Sequence, residues 1–144
     1  MTFLLDVNVL IALLDPDHSS HDAAQTWFGE YAAESWATCP ITQNGFVRIV
    51  GSPKYPRAAS IRDAAASLTS ATGRLDHVFW PDDLPLIGSD WIDMAAITSH
   101  GQITDSYLLA LAASKGGKLA TFDRRLSTRA VRNGKEALHL IPAT

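Results

Sequence analysis

Thr2-Phe3-Leu4-Leu5-Asp6-Val7-Asn8-Val9-Leu10-Ile11-Ala12-Leu13-Leu14 is the stretch that decides the fold. Residues 2–5, a threonine followed by three apolar residues, read as a short buried strand. After Asp6, the apolar positions Val9, Leu10, Ile11, Leu13 and Leu14 follow a helical period. A strand that runs straight into a helix is half of a βαβ unit, and the same figure recurs along the chain. Residues 35–39 read as a strand, and Pro40 suits the first position of a helix that continues to about residue 50. Residues 118–122 read as another strand, after a long helix that Thr104 is expected to cap and Gly116-Gly117 to end.

Between these units, residues 20–33, 58–71 and 89–99 read as helices, 77–80 as a strand, and 137–141 as the last strand. Gly51-Ser52-Pro53-Lys54-Tyr55-Pro56 is a loop. Strands alternating with helices imply one α/β domain over residues 1–144, with a largely parallel central sheet flanked by helices on both faces.

Three aspartates stand where an apolar segment stops: Asp6, Asp105 in Ile103-Thr104-Asp105-Ser106-Tyr107-Leu108-Leu109, and Asp123 in Leu119-Ala120-Thr121-Phe122-Asp123. Ligands of open parallel sheets bind beyond the carboxyl ends of the strands. Asp6 and Asp123 each follow a strand, and helices such as the one Asp105 opens start at that same edge. All three are therefore predicted on one rim. Each has a structural use as well, as a helix cap or a turn residue. Asp105, however, heads the stripe of Leu108, Leu109 and Ala112 at i+3, i+4 and i+7, so it belongs to the buried side of its helix. Carboxylates against a core are poorly solvated and resist ionising. Where three converge, a hard cation such as Mg²⁺ relieves them. Gln43 has the same geometry in the helix after residues 35–39, with Phe46, Val47 and Val50 below it, and brings an amide without charge.

At 144 residues, 47% apolar and 19% charged, the chain is long enough for a core and too apolar for disorder. Cys39 is its only cysteine, which excludes an internal disulfide and a cysteine zinc site. No apolar run approaches membrane-spanning length, and Asp6 interrupts the first one before it resembles a secretory signal, so a cytoplasmic protein is expected. Net charge is −3, yet between Lys115 and Lys135 seven bases face one acid, Asp123. Arg124, Arg125 and Arg129 in that stretch are candidates for holding a phosphate backbone. Lys54 and Arg57, with Tyr55 between them, could grip single-stranded RNA by charge and stacking. His77, His100 and His139 are isolated and read as structural.

Together these segments resemble the PIN-domain ribonucleases, and specifically the VapC toxins of bacterial toxin–antitoxin pairs, over nearly the whole chain. Leu4-Leu5-Asp6-Val7-Asn8-Val9-Leu10-Ile11-Ala12-Leu13 looks like the family's first acidic motif. Cys39-Pro40-Ile41-Thr42-Gln43-Asn44-Gly45-Phe46-Val47-Arg48 is similar to its second. Residues 103–112 resemble the third, and Ala120-Thr121-Phe122-Asp123-Arg124 the fourth. The resemblance implies an endoribonuclease using Mg²⁺ or Mn²⁺. Asp6 and Asp105 would be the main metal ligands, and Asp123 would complete the site or position the attacking water. Asn8 would orient Asp6 or bond to a bound water, and Thr42 and Thr121 would be supporting hydroxyls. It also implies an RNA substrate, a cognate VapB-type antitoxin whose tail covers the active groove, and a homodimer or toxin–antitoxin hetero-oligomer. Gln43 departs from the Glu that many relatives carry, and Gln43→Glu is expected to tighten Mg²⁺ or Mn²⁺ binding.

Two other readings compete. A non-catalytic RNA- or partner-binding PIN module would account for Gln43, although such a chain should have lost further acids. A haloacid-dehalogenase-like phosphatase also begins with Asp at a strand end, but needs a second Asp where Asn8 stands.

Overall fold

Phe3–Leu5 forms β1, and its three side chains are all buried. Alternate residues of a strand leave opposite faces. Phe3 and Leu5 enter one apolar layer with Trp27, Phe28 and Trp36. Leu4 enters the other with Leu108, Leu111 and Leu119. Burial on both faces is why this segment shows no polar alternation.

The structure is a computed structural model that describes residues 1–57, 59–74 and 76–142. Five strands, β1, β2 (Trp36–Thr38), β3 (His77–Phe79), β4 (Lys118–Thr121) and β5 (Leu138–Leu140), form one sheet in the order β3-β2-β1-β4-β5. Every ladder is parallel. The helices are α1 (Val7–Leu14), α2 (His21–Trp27), α3 (Pro40–Val50), α4 (Ile61–Thr72), α5 (Gln102–Ser114) and α6 (Gly134–Ala137). Helices α1 and α2 and Leu68 of α4 pack on the Phe3 face, while α5 and Ala137 of α6 pack on the Leu4 face. The expected parallel sheet, covered on both sides, is what the chain forms.

Several boundaries differ from the sequence reading, each for a local reason. Residues 20–33 are not one α-helix: α2 gives way after Trp27 to a π-helical turn, Phe28–Ala32. Helix α4 starts at Ile61, where the Ser60 hydroxyl accepts from the Asp63 N–H at 3.0 Å and caps the first turn. The expected start at Ala58 lies outside the described residues. Residues 89–99 are irregular apart from a 3₁₀ turn, Met94–Ala96. There the Asp93 carboxylate caps Ala95 N–H, and Ile92 bridges antiparallel to Val131, so the backbone bonds go elsewhere than into a helix. Helix α5 begins at Gln102, two residues before Thr104. Helix α6 was not anticipated: Asn133, at φ 57°, turns the chain into it.

Candidate active site

The strand order reverses beside β1. From β1 the chain builds outward through β2 and β3, and then returns to the other side of β1 with β4 and β5. Such a switch point opens a crevice at the carboxyl ends of the two strands that flank it. Those ends carry Asp6 and the segment from Thr121 to Asp123. Leu5 pairs with Ala120, and Asp6 N–H donates to the Ala120 carbonyl at 3.0 Å, so Asp6 and Thr121 are neighbours across the ladder.

Asp6 is buried. Its Oδ1 caps α1 by accepting from Val7 N–H at 2.8 Å, and its Oδ2 accepts from the Thr121 hydroxyl at 2.8 Å. Thr121, wholly buried, also accepts from Asn8 Nδ2 at 3.1 Å and from Asp123 N–H at 3.0 Å. One hydroxyl has one proton and two lone pairs, and here all three are used. The Asn8 amide is fixed in turn, because its Oδ1 accepts from Phe122 N–H at 3.2 Å. Asn8 therefore bears on Asp6 through Thr121, and does not bond to it directly. Asp123 Oδ1 accepts from Arg125 N–H at 2.9 Å, the turn-residue role, and among the described residues its Oδ2 has no hydrogen-bond partner.

Asp105 sits in the first turn of α5, above residues 106–112, all of which are buried. Its carboxyl is pushed up to about 6, first by burial and then by the negative charges of Asp6 and Asp123. Burial likewise raises Asp6 against the lowering effect of its hydrogen bonds, with Asp123 adding to the rise. The charge of Asp123 thus acts on both Asp6 and Asp105, and that of Asp6 on Asp105.

Gln43 also lies at that edge, in the first turns of α3 after β2. Its Nε2 donates to the Thr38 hydroxyl at 3.0 Å. Thr42, expected among the hydroxyls beside the carboxylates, is spent elsewhere. Its hydroxyl accepts from Cys39 N–H at 3.0 Å and bonds to the Cys39 carbonyl at 3.1 Å, closing the start of α3. Helix α3 in turn steadies the Asp6 turn. A Cβ on Gly45 would lie 2.6 Å from Val7 Cγ2, so only glycine allows α1 to approach this closely.

The basic candidates divide. Arg124, Arg125 and Arg129 are exposed just beyond Asp123 and have no ion pair among the described residues. Arg57 is already engaged, with Nη1 3.0 Å from Asp17 Oδ2 and 3.8 Å from Asp15 Oδ1. Tyr55 OH donates to Asp15 Oδ2. Asp15 lies at the far end of α1 from Asp6, roughly 13–14 Å along the axis at 1.5 Å per residue. Arg57 is therefore paired at the end of α1 away from Asp6.

The donors present fit a hard cation: three carboxylates, oxygen only, of which Asp6 and Asp105 are poorly solvated and raised further by neighbouring negative charge. Among the described residues, no group of three His, Cys, Asp or Glu side chains is arranged as a ready-made metal cage. Mg²⁺ does not need one, since it keeps several waters and takes one or two carboxylates plus substrate oxygen. Thr38 and His77 escaped the sequence reading as companions of Gln43. Only the pairing of β2 with β3 places them together.

Comparison with known proteins agrees with this geometry. The PIN domain profile matches residues 3–131. The chain is 47% identical over 131 residues to ribonuclease VapC39 of Mycobacterium tuberculosis, covering 90% of this chain and 94% of that one. It is 44% identical over 131 residues to ribonuclease VapC44 of the same organism, covering 91% and 92%. The crystal structure of Mycobacterium tuberculosis VapC20, a sarcin–ricin-loop-cleaving toxin, superposes with a TM-score of 0.62 at 13% identity, over 90% of this chain and 96% of VapC20. By profile, by identity over most of its length and by fold, the chain belongs to the PIN-domain family, among the VapC proteins.

Proposed function

We propose that this chain is a Mg²⁺-dependent endoribonuclease, with Mn²⁺ as an alternative cation, and the toxin of a VapBC-type toxin–antitoxin pair. The observation that carries the reading is the placement of Asp6 and Asp123 on one Thr121 hydroxyl at the switch point of the sheet, with Asp105 raised by burial and by the charges of both. Carboxylates that act on one another against a core are what a hard cation stabilises. The high identity to proteins named ribonucleases supports RNA as the substrate.

Asp6 and Asp105 would hold the cation. When bound, it lowers the pKa of a coordinated water and offsets charge on the phosphoryl oxygen. Everything else falls to the protein. Thr121 and Val7 N–H fix the Asp6 carboxylate in one orientation. Asp123, tied down through Oδ1, orients the attacking water with Oδ2 or takes its proton. Arg124, Arg125 and Arg129 hold the phosphates that flank the cut, as exposed bases beside an acidic crevice can. The partners are RNA, a VapB-type antitoxin covering the crevice, and a second toxin chain. The proposal places the protein in the cytoplasm. Among the described residues, no helix is long and apolar enough to cross a membrane.

Gln43 favours a second reading, a PIN module that binds without cutting. Expression of the wild type and of Asp6→Asn, with mapping of RNA 5′ ends, separates the two. Growth arrest with new ends only in the wild type supports the nuclease. Arrest by both proteins with no new ends supports the binder.

A further inference from the structure

Beside the acidic crevice, one polar chain joins Gln43, Thr38 and His77. Thr38 is wholly buried at the end of β2. Its hydroxyl meets Gln43 Nε2 at 3.0 Å and His77 Nε2 at 2.8 Å. An amide nitrogen can only donate, so the Thr38 oxygen accepts from Gln43. That leaves the hydroxyl one proton and one lone pair for His77: a ring protonated on Nδ1 receives the proton at Nε2, and a ring protonated on Nε2 donates to the lone pair. The surroundings of the ring select the first. Burial favours its neutral form, while a backbone bond with Thr72 favours a ring proton, as a carbonyl acceptor does, and leaves Nδ1 as the nitrogen that bears it. The Trp36 ring packs against it, with centroids 4.6 Å apart. The charged groups facing it are Asp76 and, through Asp76 at 3.6 Å, Arg74; Thr38 and Gln43 bring no charge.

We propose that His77 and Thr38 are positioning residues for Gln43, a neutral His77 acting through the Thr38 hydroxyl to hold the Gln43 amide with its nitrogen turned to β2 and its Oε1 left as the acceptor. Among the described residues Gln43 Oε1 has no hydrogen-bond partner, so it is the atom this position offers to solvent or ligand. The residue at position 43 and the protonation of His77 are therefore coupled. A carboxylate at 43 can only accept, and it takes the Thr38 proton. Thr38 then shows His77 a lone pair in place of a proton, and two acceptors face one another until Nε2 binds a proton of its own. The amide goes with an uncharged histidine, and a carboxylate at that position goes with a charged one. Part of the negative charge that Gln43→Glu adds is thus returned by His77. The value of this device to the crevice rests on the proposed metal site, but the coupling itself does not.

The test is a ¹⁵N NMR titration of the histidines in the full, metal-free chain, with His77 assigned by His77→Gln. The wild type should show Nε2 unprotonated and Nδ1 protonated at neutral pH. Gln43→Glu should raise the proton affinity of His77 about tenfold or more, one pKa unit. Adding Thr38→Ser should preserve that rise, and adding Thr38→Val should cut it by more than half. A protonated Nε2 in the wild type, or a His77 titration that Gln43→Glu moves less than twofold, overturns the proposal. If Thr38→Val does not fold, the serine and glutamate variants still decide. None of these readouts needs metal or RNA, so an absence of cation binding by calorimetry would count against the metal site alone.

Discussion

The Thr121 hydroxyl lies 2.8 Å from Asp6 Oδ2 and has nowhere else to send its proton, because Asn8 Nδ2 and the Asp123 N–H both donate to its oxygen. Thr121→Val removes a shared partner from a buried carboxylate, an amide and a backbone N–H. A buried polar group left without a partner costs about 1–3 kcal/mol. The expected result is a loss of stability in that range in urea unfolding, together with a fall in RNA cleavage. Thr121→Ser, which keeps the hydroxyl, should retain most of both. Equal stability and activity in the valine variant would mean that the network does not matter.

The raised Asp105 carboxyl fixes a sign. A carboxyl whose native value is about 6, above its ordinary range, binds more protons folded than unfolded between roughly pH 4 and pH 6. Through that window its contribution to stability falls as pH rises. Melting curves of the metal-free wild type should therefore lose stability from pH 4 to pH 6.5 relative to Asp105→Asn. Mn²⁺ affinity should climb through about pH 6 and level off above it, because the cation binds the ionised form. A wild type and an Asp105→Asn variant with parallel pH profiles would contradict the assignment.

At Gly45 two effects oppose one another. Alanine is a better helix residue than glycine by about 0.8–1.0 kcal/mol. Its Cβ would meet Val7 Cγ2 at 2.6 Å, and Val7 is β-branched, stiff and next to Asp6. Overpacking costs about 1–3 kcal/mol, so the clash should win. Gly45→Ala is expected to lower the urea midpoint and weaken Mn²⁺ binding, since the Asp6 turn must move. A more stable variant would show that α1 has room to yield.

The bases should separate by position. Arg124→Ala and Arg125→Ala are expected to weaken RNA binding and to lower its salt dependence by roughly one phosphate contact each. Arg57→Ala should leave RNA binding unchanged, because its guanidinium faces Asp15 and Asp17 away from the crevice. As an exposed pair it should cost less than about 1 kcal/mol in stability. Filter binding across a salt series distinguishes them.

The sequence was readable wherever one segment carried its own evidence. β1 announced itself because a doubly covered strand is apolar throughout, whereas the stripe read below Asp105 is part of a helix buried all round from residue 106 to 112. Readings failed where a distant segment decided. The partners of Tyr55 and Arg57 were not legible in their own loop, because they are Asp15 and Asp17, some forty residues earlier in the chain. Trp91 and Ile92 have helical company in the sequence, yet Val131 draws that backbone into a bridge. Thr42 was placed near the carboxylates by motif order, while the geometry of its own turn claims its hydroxyl. His77 looked isolated because its partner Thr38 stands on a strand 39 residues away. Convergence of the three aspartates depended on the strand order, which no local pattern encodes; the reversal beside β1 is what places Asp6 against Thr121 and Asp123.

The central claim is that Asp6, Asp105 and Asp123 act together as a cation site that cuts RNA. Its most direct measurement is cleavage of RNA by the purified full chain in Mg²⁺ or Mn²⁺, for wild type, Asp6→Asn and Asp105→Asn, with folding of each checked by urea unfolding. The wild type should cut and stop cutting in chelator, and both folded variants should be inactive under every condition. Wild-type cleavage by a folded Asp105→Asn, or undiminished cleavage in chelator, would contradict the account.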